Sequence, residues 1–322
     1  MTLHVCTPGY EKFLAKELNG DPEKTGPGWV LGPDGPGELC FAHLSLCDPV
    51  EVSGKSVNAI AWAIADRFME TARDERFDAP WPFYLESAGV DGLNRRAKSV
   101  TEECGERLRG RMSRVAKLAA PGRPAPGTAR GLFAYMTGFD QAYVSRDAFA
   151  GGQRRMADDP QAPSRSYLKA EEAYAVLGRE PAAGETVADL GAAPGGWSYS
   201  AARRGALVTA VDNGPMKGAG LHPGITHRAE DAFTFRPEKP TDWLFCDMVE
   251  DPERVLVLVE RWLKEDWCKR LIVNLKFGRA DPIALLRRAE ALRRYYPELK
   301  ARHLFHDREE FTLVGERRDV RL

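Results

Sequence analysis

The stretch that decides the fold is Thr186-Val187-Ala188-Asp189-Leu190-Gly191-Ala192-Ala193-Pro194-Gly195-Gly196-Trp197. Thr186 to Leu190 has the length and apolar character of a buried strand, and it ends on a glycine-rich turn. Gly191, Gly195 and Gly196 let backbone approach a ligand closely. The dinucleotide pattern G-x-G-x-x-G is absent, and Pro194 sits where the turn must stay rigid. Asp212 supports a ligand role for the turn. It lies 23 residues after Asp189, at the end of the next strand, where an acid accepts hydrogen bonds from ribose hydroxyls. Its plainer use is to cap a turn or helix. Asp231 lies past the following strand position, where an acid can meet an adenine amino group, or can cap the turn before Ala232-Phe233.

Around this stretch strand and helix alternate. We expect a helix over Ser198–Arg204, strands over Ala206–Val211, Asp242–Asp247 and Leu271–Lys276, and helices over Asp251–Asp266 and Pro282–Tyr295. Closing strands Ala301–His306 and Glu310–Gly315 would be joined as a hairpin through Asp307-Arg308-Glu309. Such alternation predicts a doubly wound, seven-stranded α/β domain over residues 160–322, parallel except at its end. Phe149 to Ser166 reads as a linker or long ordered loop.

The upstream half reads as α+β, split into residues 1–60 and 61–150. It opens with a strand at Leu3–Cys6, then a helix carrying Tyr10, Phe13, Leu14 and Leu18 at helical spacing. Turns follow over Gly20–Gly37, and Leu39 and Phe41 alternate as in a half-buried strand. A helix is expected over Thr101–Leu118, stopped by Pro121-Gly122-Arg123-Pro124. Between Asp91 and Arg130 ten basic residues face four acids. This run is either a solvated helix face or a phosphate-contacting surface. On the second reading Arg95, Arg96, Arg107, Arg111, Arg114 and Lys117 are the candidates.

Composition sets outer limits. The 322 residues carry 46 Lys+Arg against 47 Asp+Glu, so any nucleic-acid surface must be local rather than global. No apolar run reaches the roughly 18 residues of a membrane span, and the start lacks a secretory pattern. Six scattered cysteines without a CxxC pair argue against a zinc ribbon and for a reducing, cytoplasmic setting. We expect no membrane partner and no structural metal, and a monomer is one of the oligomeric states left open.

The motifs resemble a known family. Asp189-Leu190-Gly191-Ala192-Ala193-Pro194-Gly195-Gly196-Trp197 is similar to the S-adenosylmethionine loop of FtsJ-like RNA ribose 2′-O-methyltransferases. The likeness continues through Ser164-Arg165-Ser166-Tyr167-Leu168-Lys169, Val211-Asp212-Asn213-Gly214-Pro215-Met216, Cys246-Asp247-Met248-Val249-Glu250, Asn274-Leu275-Lys276 and His306-Asp307-Arg308-Glu309-Glu310. Within that group the spellings resemble the RlmM type, whose members methylate a cytidine ribose of 23S ribosomal RNA. Thr7-Pro8-Gly9-Tyr10-Glu11-Lys12 is similar to the start of that type.

The resemblance implies S-adenosylmethionine as cofactor, held by Ser166, Gly191, Ala193, Pro194, Gly195, Gly196, Trp197, Asp212, Asp231 and Asp247. It implies a catalytic set of Lys169, Asp247, Lys276 and Glu310, a THUMP-like RNA-binding region upstream, and 23S ribosomal RNA or a pre-ribosomal precursor as partner. The residues agree with this placement: in an open α/β sheet the strand carboxyl ends converge on the ligand crevice, and Asp247 and Lys276 both end apolar strands. Taken singly, Lys169 and Glu310 are equally at home in surface ion pairs. In such a set a neutral Lys276 would take the proton of the 2′-OH, with Asp247 orienting it. Other methyl transfers fit less well. Base C5 methylation needs a nucleophilic cysteine after the strand-end acid, whereas Cys246 precedes Asp247 and reads as strand core; the Asn/Asp-Pro-Pro-aromatic signature of amino-group methylation is missing. Trp262 and Trp267 also read as core. Two alternatives stay open, a 2′-O-methyltransferase for another RNA and a catalytically silent S-adenosylmethionine-binding RNA protein.

Overall fold

A computed structural model describes residues 1–33 and 38–317. Contacts divide it into two units, 1–152 and 153–322.

In the first unit the elements are β1 (Thr2–Val5), α1 (Glu11–Glu17), β2 (Lys24–Gly26), β3 (Trp29–Gly32), β4 (Leu44–Cys47), β5 (Val50–Ser53), α2 (Val57–Thr71), β6 (Trp81–Ser87), α3 (Leu93–Arg111), α4 (Ser113–Ala116), β7 (Ala119–Pro121), β8 (Gly127–Met136) and β9 (Gln141–Ala150). Among the described residues one mixed sheet runs β2-β3-β1-β4-β9-β8-β6-β7, with β5 also on β9. Its core joins Ile60, Ile64 and Phe68 of α2 and Leu93, Ala97, Val100, Cys104 and Leu108 of α3 to Leu132–Met136 of β8. The expected division at residue 60 falls inside α2, and the pairing of β4 with β9 carries one sheet across both parts.

Three upstream expectations are corrected. The basic helix begins at Leu93 rather than Thr101, because apolar positions 93, 97, 100, 104 and 108 keep helical spacing beneath the charges; it breaks at Met112. Leu39 and Phe41 are not in a strand. The Glu17 carboxylate takes the Cys40 and Phe41 N–H groups at 2.5 and 3.0 Å, in place of a ladder, and the strand starts at Leu44. Of the turns expected over 20–37, β2 and β3 occupy 24–32, and residues 34–37 lie outside the described residues.

In the second unit come α5 (Tyr167–Leu177), β10 (Thr186–Leu190), α6 (Gly196–Ala202), β11 (Leu207–Val211), β12 (Ile225–Arg228), β13 (Thr241–Cys246), α7 (Pro252–Lys264), β14 (Cys268–Lys276), α8 (Pro282–Glu290), β15 (Lys300–Arg302) and β16 (Glu310–Glu316). Among the described residues seven strands run β12-β11-β10-β13-β14-β16-β15, parallel up to β14, with β16 antiparallel to both neighbours. Val187, Trp243, Phe245, Ile272 and Val314 share a cluster with Ala170, Tyr174, Trp197 and Ala201 of α5 and α6. Alternation along β14 sends Leu271 and Val273 to the other face, and both are fully buried. Asp251 and Asp281 cap α7 and α8 through their carboxylates, each followed by a proline at the first helical turn.

Two details differ from expectation here. Edge strand β12 carries exposed Thr226, His227 and Arg228, so hydrophobic patterning did not reveal it. The last hairpin has a longer connection, residues 303–309, because the buried Asp307 carboxylate takes the Leu304 N–H at 2.9 Å and turns the chain after Arg302.

Candidate active site

Parallel strands deliver Leu190, Val211 and Cys246 to one edge, and the loops that leave them carry the predicted residues. Gly191 has φ +76, and a Cβ there would stand 2.4 Å from Met248 Cγ and 3.1 Å from Met248 Cα. The turn thus closes against the residue after Asp247. Gly195 has φ +109, and its Cβ would meet Gly220 and Met216 at 2.8 Å. At Gly196 a Cβ would strike the Ser164 and Ser166 hydroxyls at 2.4 and 2.8 Å, so the 164–166 loop lies directly on this glycine. The Ala193–Pro194 peptide is cis.

Asp212 ties the loops together. Its Oδ2 accepts the Ala193 N–H at 3.0 Å and its Oδ1 the Gly214 N–H at 2.6 Å. Asp231 is exposed, and its Oδ1 accepts the Phe233 N–H at 2.8 Å, so it caps the 231–235 turn. Ser166 is the residue before α5, and its side chain makes no cap bond; its hydroxyl meets that of Ser164 at 2.7 Å. The Trp197 side chain points into the core. Its indole is 2% exposed in the core, edge-on to Phe245, and donates Nε1–H to the Ser166 carbonyl at 2.9 Å. The buried indole thus supports the 164–166 loop through the Ser166 carbonyl.

The four charged residues converge. Lys276 Nζ donates to Asp247 Oδ1 at 2.7 Å, to the Asp247 carbonyl at 2.9 Å and to the Met248 carbonyl at 3.0 Å. Lys169 Nζ is 2.6 Å from Glu310 Oε1 and 3.5 Å from the same Asp247 Oδ1. One carboxylate oxygen therefore serves two ammonium groups. Burial disfavours the Lys169 charge, but Asp247 and Glu310 outweigh it and hold the ammonium above the ordinary lysine range.

Several neighbours escaped sequence reasoning. Asp189 is fully buried near the end of β10; Oδ2 accepts the Ser198 hydroxyl at 2.6 Å, and Oδ1 has no hydrogen-bond partner among the described residues. Burial pushes its carboxyl up to about 7. Asp307 accepts from Asn274 Nδ2 at 3.0 Å and from Thr312 Oγ1, and burial with Glu310 nearby raises it well above the carboxylate range. Asn274 inside the apolar run Leu271–Leu275 was the available signal, since a buried amide demands partners.

The basic candidates separate. Arg96 donates to the Phe139 and Lys55 carbonyls at 2.5 and 2.9 Å, and Arg107 pairs with Asp66 at 3.1 Å beneath the Trp62 ring. Both hold the fold. Arg95, Arg111, Arg114 and Lys117 are exposed. Arg95 and Arg111 point about 160° apart around α3, so the free charges gather at its C-terminal end. Among the described residues no helix is long and apolar enough to cross a membrane, and no acid, histidine and cysteine group could hold a metal.

Residues 162–262 match the model of the FtsJ-like methyltransferase family. A protein of Halorhodospira halophila called ribosomal RNA large subunit methyltransferase M is 43% identical over 177 residues, 53% of this chain and 52% of that protein. The same-named protein of Laribacter hongkongensis is 36% identical over 261 residues, 72% of this chain and 68% of that one. The one from Chromohalobacter salexigens is 34% identical across 96% of this chain and 95% of its own length. A match of that length takes in both units, and with it the chain belongs to the ribosomal RNA large subunit methyltransferase M family.

Proposed function

We propose that this protein transfers a methyl group from S-adenosylmethionine to the ribose 2′-OH of a cytidine in 23S ribosomal RNA. The observation that carries the reading is the convergence of Lys169, Asp247, Lys276 and Glu310 at the carboxyl edge of an S-adenosylmethionine-type sheet, in a chain of this family. The residues suit the cofactor. The Gly191 cradle closes on Met248, Asp212 faces the 193 and 214 loops where a ribose diol would bind, and the acids Asp212 and Asp247 at the strand ends suit a cation. The cofactor, when bound, supplies a methyl group already activated by its sulfonium.

The chain must then place a weak nucleophile and remove its proton. Lys276 is held by three acceptors, so the 2′-OH would exchange for one of them. Asp247 fixes the Lys276 amine. Lys169, locked to Glu310, supplies a fixed positive charge on the same Asp247 carboxylate oxygen. In the first unit, Arg111, Arg114 and Lys117 would contact RNA phosphates, in keeping with a THUMP-like role.

The test is transfer of tritiated methyl from S-adenosylmethionine to large-subunit ribosomal RNA from cells lacking the protein, with nuclease mapping of the label. A 2′-O-methylcytidine is expected; label on a base, or no transfer, would overturn the reading.

A further inference from the structure

The segment 153–157 has no regular structure, yet it is fastened at several points beside the Lys169–Glu310 pair. Glu172, fully buried on α5, takes the Arg154 N–H at 3.0 Å, the Phe305 N–H at 3.0 Å and the His306 N–H at 3.1 Å. The Met156 N–H donates to His306 Nε2 at 2.9 Å. Nε2 therefore carries no proton, and the imidazole is the neutral form with its hydrogen on Nδ1. Burial and the nearby Arg155 and Arg165 charges act against its protonation.

Arg155 lies with its guanidinium 5.1 Å from the Phe305 ring centroid. It is exposed, and no carboxylate among the described residues pairs with it. The ring contact holds the guanidinium beside Phe305 without using its N–H groups, and a guanidinium with free N–H groups can grip a phosphate with two parallel bonds. Arg165 is exposed just before α5, four residues ahead of Lys169, with Asp158 at 3.4 Å. His306 is four residues ahead of Glu310. Arg165 and His306 thus belong to the two segments that present the Lys169–Glu310 pair, and Arg155 is fastened beside them through Phe305. In RNA a phosphodiester flanks every ribose on both sides, so donors bordering a 2′-OH site face phosphate.

We propose that Arg155, Arg165 and the Nδ1–H of His306 bind the RNA phosphodiester next to the acceptor ribose. The proposal rests on the methyltransferase reading above and adds a substrate contact within the catalytic unit.

Steady-state methylation of large-subunit ribosomal RNA across a salt series tests it. Arg155→Ala should raise KM for RNA about 10-fold, and make the slope of log kcat/KM on log salt shallower by roughly 0.7 to 0.9. Arg155→Lys should recover the slope but only part of the KM, because a lysine offers one point charge instead of a flat fork. Thermal stability and S-adenosylmethionine affinity should match wild type in both. Lys239→Ala removes the same charge from the exposed loop before β13 and should leave KM alone. A wild-type KM and slope in Arg155→Ala would overturn the proposal, as would an equal loss in Lys239→Ala. An inactive wild-type protein would instead bring down the methyltransferase reading, and this proposal with it.

Discussion

Lys276 Nζ lies 2.7 Å from Asp247 Oδ1 and spends its two remaining hydrogens on the Asp247 and Met248 carbonyls. Three acceptors match the three hydrogens of an ammonium, so a proton-accepting role requires one bond to be traded for the substrate hydroxyl. Two substitutions separate proton transfer from charge. Lys276→Ala should abolish transfer while leaving Asp212 and the glycine turn in place. Lys276→Arg keeps the charge, but a guanidinium is never deprotonated in proteins. We expect Arg to be nearly as inactive as Ala, at least ~10²-fold below wild type. Single-turnover transfer at saturating RNA and cofactor isolates the step. An Arg enzyme within a few-fold of wild type would end the general-base role.

Asp212 offers a second test, because it has two duties. It holds the Ala193 and Gly214 N–H groups, and on the proposed function it would also receive a ribose diol. Asp212→Ala strands both backbone donors and removes the charged acceptor. S-adenosylmethionine affinity should fall by at least ~2 kcal/mol, read by calorimetry, and thermal stability should fall with it. Unchanged affinity would remove Asp212 from the cofactor site.

The contrast between these residues and the first unit shows what the sequence could disclose. β10, β11, β13 and β14 were legible because each is a buried apolar run bounded by a turn. Asp212, Asp247 and Lys276 stand within one residue of those strands' ends or on them, so their convergence followed from the parallel order. Trp197 belongs to the loop motif, but motif position says nothing about which way an indole points. Arg96 and Arg107 were grouped with exposed neighbours because composition does not register the Phe139 carbonyl or Asp66, which are distant in sequence. Asp189 and Asp307 acquire their properties from burial, and burial is a property of the folded chain.

Gly191 tests the close approach of two loops. Gly191→Ala would put a methyl 2.4 Å from Met248 Cγ and 3.1 Å from Met248 Cα, at a φ of +76 that alanine resists. Met248 directly follows Asp247, so the displacement should reach the Asp247–Lys276 pair. We expect at least a ~10-fold loss of S-adenosylmethionine affinity, about 1.4 kcal/mol, and a larger loss of turnover. The second unit should still fold, since its core lies elsewhere. Calorimetry and transfer assays on a variant with native circular dichroism decide it; wild-type affinity would show that the turn has room to spare.

The Asp189 carboxyl predicts a pH dependence with a definite sign. Its ordinary value is 3.8, and in the folded protein burial pushes it up to about 7. Between those limits the folded state holds a proton that the unfolded chain has released. The contribution of this group to stability is therefore fully present below about pH 4 and is lost as pH rises through about 7. Asp189→Asn keeps the shape and an oxygen to accept the Ser198 hydroxyl, but cannot ionise. Relative to wild type without ligand, the variant should gain stability from pH 4 to about 7 and level off above it, by on the order of a few kcal/mol in all. Other shifted groups, such as Asp307, are present in both proteins, so their effects cancel in the difference. Thermal melts of the pair at unit steps of pH measure it. A difference that stays flat across this range would show that Asp189 does not change its charge there.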